Sequence, residues 1–510
     1  MAYRNLGQKA HSVIHLISLS GLAAGLPTNK IVLSLSLMIG VINLLIEARF
    51  SDYLKRCKNQ KLFFPIALLF VLHIIGLLWT SDFQYAMNDI RIKIPLLIIP
   101  VLFIAKPIDL FQRKFITNIF LATIVITSLI NVSTHQHWIG NRQYLDIRDL
   151  SLFGSHIRYG ILIAIATILV GYEMFSEKKW ALSPVFIWLI YYTYYSQVLS
   201  GVLALFAGVI GLIFVWLYSK NRLGGVFAMI LLIVSLSLGF NSIFQFSDHK
   251  NKIDVSKLDQ YTSLGNPYTH EVDGGYDING NPVMLYICEI EMASEWSKRS
   301  TTSIDSLDEK KQPIKYTLIR YLAEKGLRKD AEGIKKLSET DVHNIESGKA
   351  SPIENENTIV ARINGLQFQL VNKGDPNGHS LLQRFEYWKT GLQILKSHWL
   401  TGVGTGDVQI AFDLQYVKDN SKLKPERRLR SHNQFLTFAI TFGIIGFLLF
   451  IGLHLVYLKQ ALSDNRFLSV AFIFIVFATF FIEDTLETQT GVTLFAFFYS
   501  FFLPDSSNDN

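Results

Sequence analysis

Residues 427–459 read RRLRSHNQFLTFAITFGIIGFLLFIGLHLVYLK. A short basic segment gives way at Gln434 to 25 residues, ending at Leu458, without a single Asp, Glu, Lys or Arg. An apolar run of roughly 18 or more residues is long enough to cross the hydrocarbon core as a helix. In lipid only helices or closed barrels satisfy the backbone, and a run this continuous is not an alternating barrel strand. The same reading applies at 11–26, 31–48, 62–79, 94–105, 115–132, 159–175, 181–197, 199–218, 224–241, 467–482 and 492–502. The expectation is an all-α polytopic membrane protein with about twelve transmembrane helices. The run at 94–105 is short enough to be tilted, broken or re-entrant. Arg4 and Lys9, ahead of small residues near Ala24, resemble a cleaved leader, but eleven further runs favour an uncleaved first helix.

The chain of 510 residues carries only 17% charged residues against 50% hydrophobic ones. Soluble domains carry about a quarter charged residues, so this chain is short of solvating surface. Its net charge of +7 does not mark a nucleic-acid binder, because residues 242–430 hold 26 basic and 26 acidic residues. The excess therefore sits in the membrane part, where topology explains it. Arg4, Lys9, Arg49, Lys55, Arg56, Lys58, Lys61, Lys106, Arg113, Lys114, Lys178, Lys179, Lys220, Arg222, Lys459 and Arg466 fall on the side shared by the termini. Only Lys30, Arg91, Lys93, Arg142, Arg148 and Arg158 fall on the other. That asymmetry places both termini in the cytoplasm and the loop after the ninth helix outside. Cys57 and Cys288 then lie on opposite sides, where no disulfide joins them.

The organisation expected is residues 1–241 for helices one to nine, 242–430 for the outer loop, 431–503 for helices ten to twelve, and 504–510 for a cytoplasmic tail. Within the loop, the Asn-Gly of GGYDINGNPV signals a hairpin. IKYTLIRYLAEKGLRKDAEGIKKL has helical apolar spacing that closes near Gly333. In 380–400, Phe385, Trp388, Leu392, Leu395 and Trp399 form one stripe ending in tryptophan, suited to the membrane interface or to packing on the bundle. The loop as a whole reads as a lid rather than an independent soluble domain.

His432 stands at the mouth of the tenth helix with Asn433 beside it and Arg427, Arg428 and Arg430 before it. Gly443 and Gly446 fall three to four turns below, as a seam that a neighbour can approach closely. A helix N-terminus disfavours the imidazolium, which would leave His432 neutral and able to accept a proton. The bland alternative is an interfacial histidine bonded to lipid headgroups.

His432-Asn433, nine residues, Gly443, two residues, Gly446 resembles the H-N-x9-G-x-x-G signature of the O-antigen ligase family, the Wzy/WaaL-like membrane glycosyltransferases. Upstream, RFEYWKTGLQILKSHWLTGVGTGD is similar to that family's Arg…Trp helix and G-V-G-x-G turn, here Arg384, Trp388 and Gly404. The resemblance implies a GT-C-like helical fold with the large periplasmic loop between helices nine and ten, in a bacterial inner membrane. It also implies transfer of a glycan from an undecaprenyl-diphosphate carrier to an acceptor hydroxyl of lipid A–core, inverting, with His432 as base. No metal or other cofactor is expected, and the partners are the lipid-linked glycan, the acceptor and membrane lipids. Arginine suits a diphosphate because its planar guanidinium binds phosphate oxygens in pairs. Arg384 and Arg158 are the candidates, with Arg430 and Arg428 assisting. Arg384 is equally suited to stack on Trp388, and Arg158 to anchor at the interface.

Many members of that family carry an arginine in a Ser-Arg-Gly-like step where this chain has Ser200-Gly201, so Arg158 would have to substitute in space. The glycines at 402, 404 and 406 with Asp407 read as a turn that seats the preceding helix, not as a nucleotide loop. Asp82, Asp89, Glu483 and Asp484 lie in outer loops without forming a metal pair. A polysaccharide polymerase or protein O-glycosyltransferase would use similar residues. A flippase for lipid-linked substrates is the rival of another class, and it predicts midplane charges that the runs lack.

Overall fold

A computed structural model describes residues 2–142, 147–245, 254–272, 275–276, 282–309, 312–352, 376–378 and 380–503. The described chain is all-helical, with isolated β-bridges and no strand among the described residues. Met1–Leu231 with Arg384–Asn510 forms one compact unit, and Leu232–Gln383 forms a second.

The first unit contains α1 (Ala2–Gly25), α2 (Lys30–Glu47), α3 (Phe50–Asn59), α4 (Phe63–Ile75), α5 (Phe83–Lys93), α6 (Pro95–Ala105) and α7 (Leu110–His135). Next come α8 (His156–Ser176), α9 (Ser183–Ser196), α10 (Leu199–Lys220) and the start of α11 (Arg222–Gln245). Each of the twelve apolar runs lies on a helix. Lys30–Glu47, Leu110–His135, His156–Ser176, Leu199–Lys220 and Gln434–Ser463 are long and apolar enough to cross a membrane. Phe50–Asn59 and Phe63–Trp79 would make a sixth, were it not for the 102° bend between them. The short run at 94–105 is α6, about 16 Å long at the usual rise. Its apolar side chains Leu96, Ile99, Leu102 and Ala105 are fully buried, so it lies inside the helical unit.

The second unit has its own hydrophobic core. Here α12 (Glu289–Trp296), α13 (Ile314–Glu324), α14 (Ala331–Lys335) and α15 (Glu339–Glu346) bury Met292, Trp296, Leu318, Tyr321, Leu322 and Ile345 together. The middle of the loop is therefore a small folded body and not a lid alone. The single helix expected to close near Gly333 is two: Gly326, at φ +66°, turns the chain after α13, and Asp330 caps α14 by accepting from Gly333 N. The expected hairpin falls mostly outside the described residues, with Tyr276 and Pro282 bridged antiparallel around it. The tail at 504–510 also lies outside the described residues. Cys57 and Cys288 are free thiols.

After this body come α16 (Ser380–Ser397), α17 (Val408–Lys418), α18 (Gln434–Ser463), α19 (Phe467–Ile482) and α20 (Gln489–Phe501). On α16 the buried positions are Tyr387, Thr390, Gly391 and Ile394, whereas Leu392 is 58% and Trp399 60% exposed. The tryptophan-ended stripe is therefore split: Leu392 and Trp399 face outward, whereas Trp388 and Leu395 pack beside the buried Tyr387 and Ile394. The helices cross closely there: a Cβ on Gly391 would lie 2.9 Å from a Leu436 methyl.

The turn between α16 and α17 explains the two distant glycines of the signature. α18 breaks at Gly443 (φ +66°, ψ −166°), a conformation open essentially to glycine alone. The break frees backbone groups, and the turn satisfies them. Val403 N donates to Ile440 O at 2.8 Å, Gly404 N to Thr441 O at 3.0 Å, and Ile444 N to Trp399 O at 2.8 Å. The neighbour that the small-residue seam admits at Gly443 is the backbone of the 399–404 turn, whose amides and carbonyl repair the helix. Gly446 is required one turn on, where a Cβ would sit 2.1 Å from Phe442 Cβ. Asp407 anchors the other end of the turn by accepting from Ser81 N, Ser81 Oγ and Asp82 N at 2.8, 3.0 and 2.8 Å.

Candidate active site

His432 precedes α18 in a left-handed backbone conformation, φ +46°. Non-glycine residues adopt it uncommonly and at a cost, so the surroundings must hold it. Asn433 is the N-cap: its side chain accepts from Leu436 N at 2.9 Å and donates to Phe481 O at 3.0 Å. Ser431, fully buried, bonds Thr437 Oγ1 at 2.7 Å and donates to Asn433 O at 2.9 Å. The His-Asn pair is thus one device, in which asparagine starts the helix and ties it to the end of α19 while histidine is turned outward. Tyr387 of α16 flanks the imidazole, with ring centroids 5.5 Å apart.

The loop 483–488 between α19 and α20 lies opposite. His432 Nδ1 is 3.7 Å from Glu483 Oε1 and 3.6 Å from Asp484 Oδ1. These are ion-pair distances rather than hydrogen bonds, and Nδ1 has no hydrogen-bond partner. Arg384 Nη2 lies 3.8 Å from Glu483 Oε2, and Arg158 Nη2 lies 4.0 Å from Glu483 Oε1. One buried carboxylate therefore gathers three side chains from α16, α8 and the mouth of α18.

A second cluster holds that loop in place. Lys93, with no exposed surface, donates to Asp89 Oδ1 at 3.1 Å, Glu487 Oε2 at 2.8 Å and Leu486 O at 2.6 Å. Arg430 Nη1 reaches Glu487 Oε2 at 3.2 Å. Gln434 donates to Glu487 Oε1 at 3.0 Å and accepts from Leu486 N at 2.7 Å. Buried charges persist only when paired in this way.

The electrostatics follow. Burial pulls the His432 pKa down, but the Glu483 and Asp484 carboxylates outweigh it, and the net direction is upward from 6.5. Burial raises Glu483, yet His432, Arg158 and Arg384 hold it below the usual carboxylate value. Asp484 is raised to about 6, because burial outweighs the attraction of His432 and Arg430. Glu487 is held low against burial by Lys93 and Arg430. The helix terminus therefore does not decide the state of His432; its carboxylate neighbours do. With Nδ1 turned to those carboxylates, a proton there leaves Nε2 as the acceptor. His432, Glu483 and Asp484 also have the spacing of a metal triad. Arg384 and Arg158 beside the same carboxylate supply the positive charge that an ion would bring.

Of the residues expected from sequence, His432, Arg384 and Arg158 come together. Arg430 is committed to Glu487, and Arg428 is held on its own segment, where Nε donates to Leu423 O at 3.1 Å. Trp388 packs with Tyr387, Ile394 and Phe412. Ser200-Gly201 is a helix crossing: a Cβ on Gly201 would lie 3.1 Å from Gly160 Cα, two residues after Arg158. Glu483, Asp484, Glu487 and Lys93 were not foreseen as site residues. The one signal of the three carboxylates is that they fall within five residues between two apolar runs; Lys93 carries none.

A helical membrane protein with a histidine, two arginines and a carboxylate at the helix mouths defines the class. Residues 348–451 match the family model described as O-Antigen ligase, which supports assignment of the chain to the O-antigen ligase family. That match covers Arg384, the glycine turn, His432, Asn433, Gly443 and Gly446, whereas Arg158 and the 483–488 loop lie outside it. No curated protein matches the chain.

Proposed function

We propose that this protein is a membrane glycosyltransferase of the O-antigen ligase type, which moves a glycan from a polyprenyl-diphosphate carrier to an acceptor hydroxyl. It works at the outer face of the bacterial inner membrane, with twelve crossings and cytoplasmic termini. The observation that carries the reading is the convergence of His432, Arg384 and Arg158 on Glu483. Two permanently charged forks suit the leaving diphosphate, and an imidazole backed by carboxylates suits an acceptor proton. The acceptor oxygen attacks the anomeric carbon as its proton passes to His432 Nε2. The bond from that carbon to the carrier phosphate breaks, the electron pair leaves on the diphosphate, and single displacement inverts the anomeric centre.

The biological acceptor proposed is lipid A–core. His432→Ala in the full chain should abolish transfer while leaving membrane insertion intact; full residual activity would sink the mechanism. In a null strain, lipid A–core without long chains, together with accumulating carrier-linked polymer, is the expected phenotype. Chains shortened to one repeat would identify a polymerase instead, and movement of lipid-linked substrate in vesicles without a new glycosidic bond a flippase.

A further inference from the structure

Between α2 and α4, α3 (Phe50–Asn59) is set at 102° to the apolar run that follows it, Phe63–Trp79. A helix at about right angles to a spanning one runs along the membrane plane rather than through it. The sequence of α3, FSDYLKRCKN, is too short and too polar to cross. Two hydrogen bonds and a buried pair fix its roll. The Tyr53 hydroxyl donates to Glu47 Oε2 at 2.9 Å, and Arg56 Nη1 donates to Ala105 O at 2.6 Å. Tyr53 and Cys57 are buried. At about 100° per residue, the surface next to that pair carries Phe50 and Leu54, and the surface beyond it carries Lys58 and Lys55. Phe50 is 49% and Leu54 66% exposed. Lys55 and Lys58 are exposed as well, as are Arg49 and Lys61 at the two ends. None of the three lysines makes an ion pair among the described residues.

We infer that α3 is an interfacial helix that docks on anionic phospholipid headgroups at the cytoplasmic face. Phe50 and Leu54 enter the acyl boundary, and Lys55, Lys58 and Lys61 meet the phosphates. The inference rests on the topology proposed above, which puts 49–61 on the cytoplasmic side, and not on the transfer chemistry. The order of side chains round the helix is the order of the layers they would meet: protein, acyl chains, headgroups. An apolar pair that the protein leaves uncovered finds its partner where acyl chains begin, and lysines on long stems reach the charged layer beside it. Unpaired cations close to an anionic leaflet gain an attraction that a zwitterionic one does not offer. A topology signal requires only that basic residues lie on this side; here the fold also fixes the direction in which they face. α3 in turn closes α6, because Arg56 satisfies Ala105 O, the last carbonyl of that helix. Phe103 of α6 packs edge-on against Phe497 and Phe501 of α20, so headgroups seated on α3 are joined through α6 to the bundle.

The test is amide hydrogen exchange over 49–61 in the full-length protein, in nanodiscs of phosphatidylcholine alone or with about one third phosphatidylglycerol. Phosphatidylglycerol should slow exchange there by about fivefold for each lysine engaged, and on the order of a hundredfold for all three. The slowing should be lost in the triple variant Lys55→Gln/Lys58→Gln/Lys61→Gln, and largely lost at about 0.5 M salt. Exchange in α18 should respond to neither, which shows that the variant is folded. Phe50→Ser/Leu54→Ser should exchange faster in both lipids. Equal exchange in the two lipids overturns the proposal, as does lipid-dependent slowing that survives the triple variant. Slowing by inorganic phosphate in phosphatidylcholine nanodiscs would also overturn it, because the patch would then be a site for free phosphate rather than a docking surface for the membrane. Glycan transfer is not read in this experiment, so each of these outcomes leaves the transferase reading to its own test.

Discussion

Gly443→Ala tests the link between the signature glycine and the architecture of the site. A Cβ there would lie 2.1 Å from Leu400 O and 2.3 Å from Leu400 C, both backbone atoms that cannot rotate away. Two responses are open to the chain. The turn can withdraw from the break, losing the Val403–Ile440, Gly404–Thr441 and Ile444–Trp399 hydrogen bonds at about 1 kcal/mol each. Alternatively, alanine can hold the glycine-only conformation at about 1–3 kcal/mol with the clash unrelieved. Because the two are alternatives, the cost is about 3 kcal/mol, a fall in apparent Tm of roughly 3–5 °C for a chain of this size. The assay is thermal unfolding of detergent-solubilised full-length protein followed by size-exclusion chromatography, alongside transfer activity in membranes. Gly452→Ala, on the same helix, is the control. Nothing lies within 4 Å of its new Cβ, so it should gain about 0.5–1 kcal/mol from helix propensity. If Gly443→Ala melts within a degree or two of Gly452→Ala and keeps its activity, the repaired break is not what positions the α18 mouth.

Three further outcomes follow from the charged clusters and the second core. Activity that needs neutral His432 rises with pH through its pKa, and that acidic limb should lie above 6.5 in the wild type. Glu483→Gln removes an upward influence and should move the limb to lower pH. Because a raised histidine pKa stabilises the fold below its unfolded value and fades as pH rises through the folded one, the His432 share of the lost stability should appear on the acid side, on top of the loss of the Arg158 and Arg384 pairing, which persists at higher pH. Asp484, raised to about 6, titrates nearby, so the limb belongs to the cluster; an unmoved limb would exclude Glu483 as the partner. Lys93→Met strips Glu487 and Asp89 of a buried cation, which costs roughly 3–5 kcal/mol and should lower both Tm and transfer; unchanged melting would mean that the loop is held elsewhere. Trp296→Ala, at a fully buried position whose Nε1 donates to Thr302 O, should cost about 3–5 kcal/mol. Protease cleavage should rise within 282–352 while membrane insertion persists, and an unchanged digestion pattern would refute a separate core.

Much of the fold was legible because lipid imposes a severe rule, and long uncharged runs have few alternatives to helix. His432 and Arg384 were legible through the resemblance of their spacing to the O-antigen ligase signature, and Arg158 because an arginine at an outer helix end suits a diphosphate. What stayed hidden was set by contacts distant in sequence. Gly443 reads as part of a smooth helical seam until the turn at 399–404 is seen replacing its lost hydrogen bonds. The buried face of α16 is offset from the most apolar stripe, because a membrane environment does not force the greasiest side inward. The body around Trp296 mixes short helices with loops, so no long period announces its core. Glu483 carries no motif of its own, and its meaning comes only from the three cationic side chains that reach it from other elements.

Competing magnitudes decide the state of the base. A helix N-terminus disfavours an adjacent imidazolium by about 0.3–1 kcal/mol. A carboxylate at 3.7 Å favours it by about 4 kcal/mol at the effective dielectric of protein sites, before burial is subtracted. Two carboxylates lie at that range, so the imidazolium is favoured on balance even though burial opposes it. The consequence for catalysis cuts both ways. A higher pKa makes His432 a stronger acceptor of the hydroxyl proton, but leaves less of it neutral at a given pH. Glu483 can serve that balance because its charge is shared with Arg158 and Arg384. A diphosphate that draws those arginines toward itself leaves Glu483 more fully to His432. Donor binding would then raise the basicity of the imidazole at the moment an acceptor hydroxyl needs it, and the pH limb for transfer should lie above the limb for His432 titration in the empty enzyme. NMR titration of the histidine with and without farnesyl diphosphate measures that difference, and a limb that stays put or falls on binding would disprove the coupling.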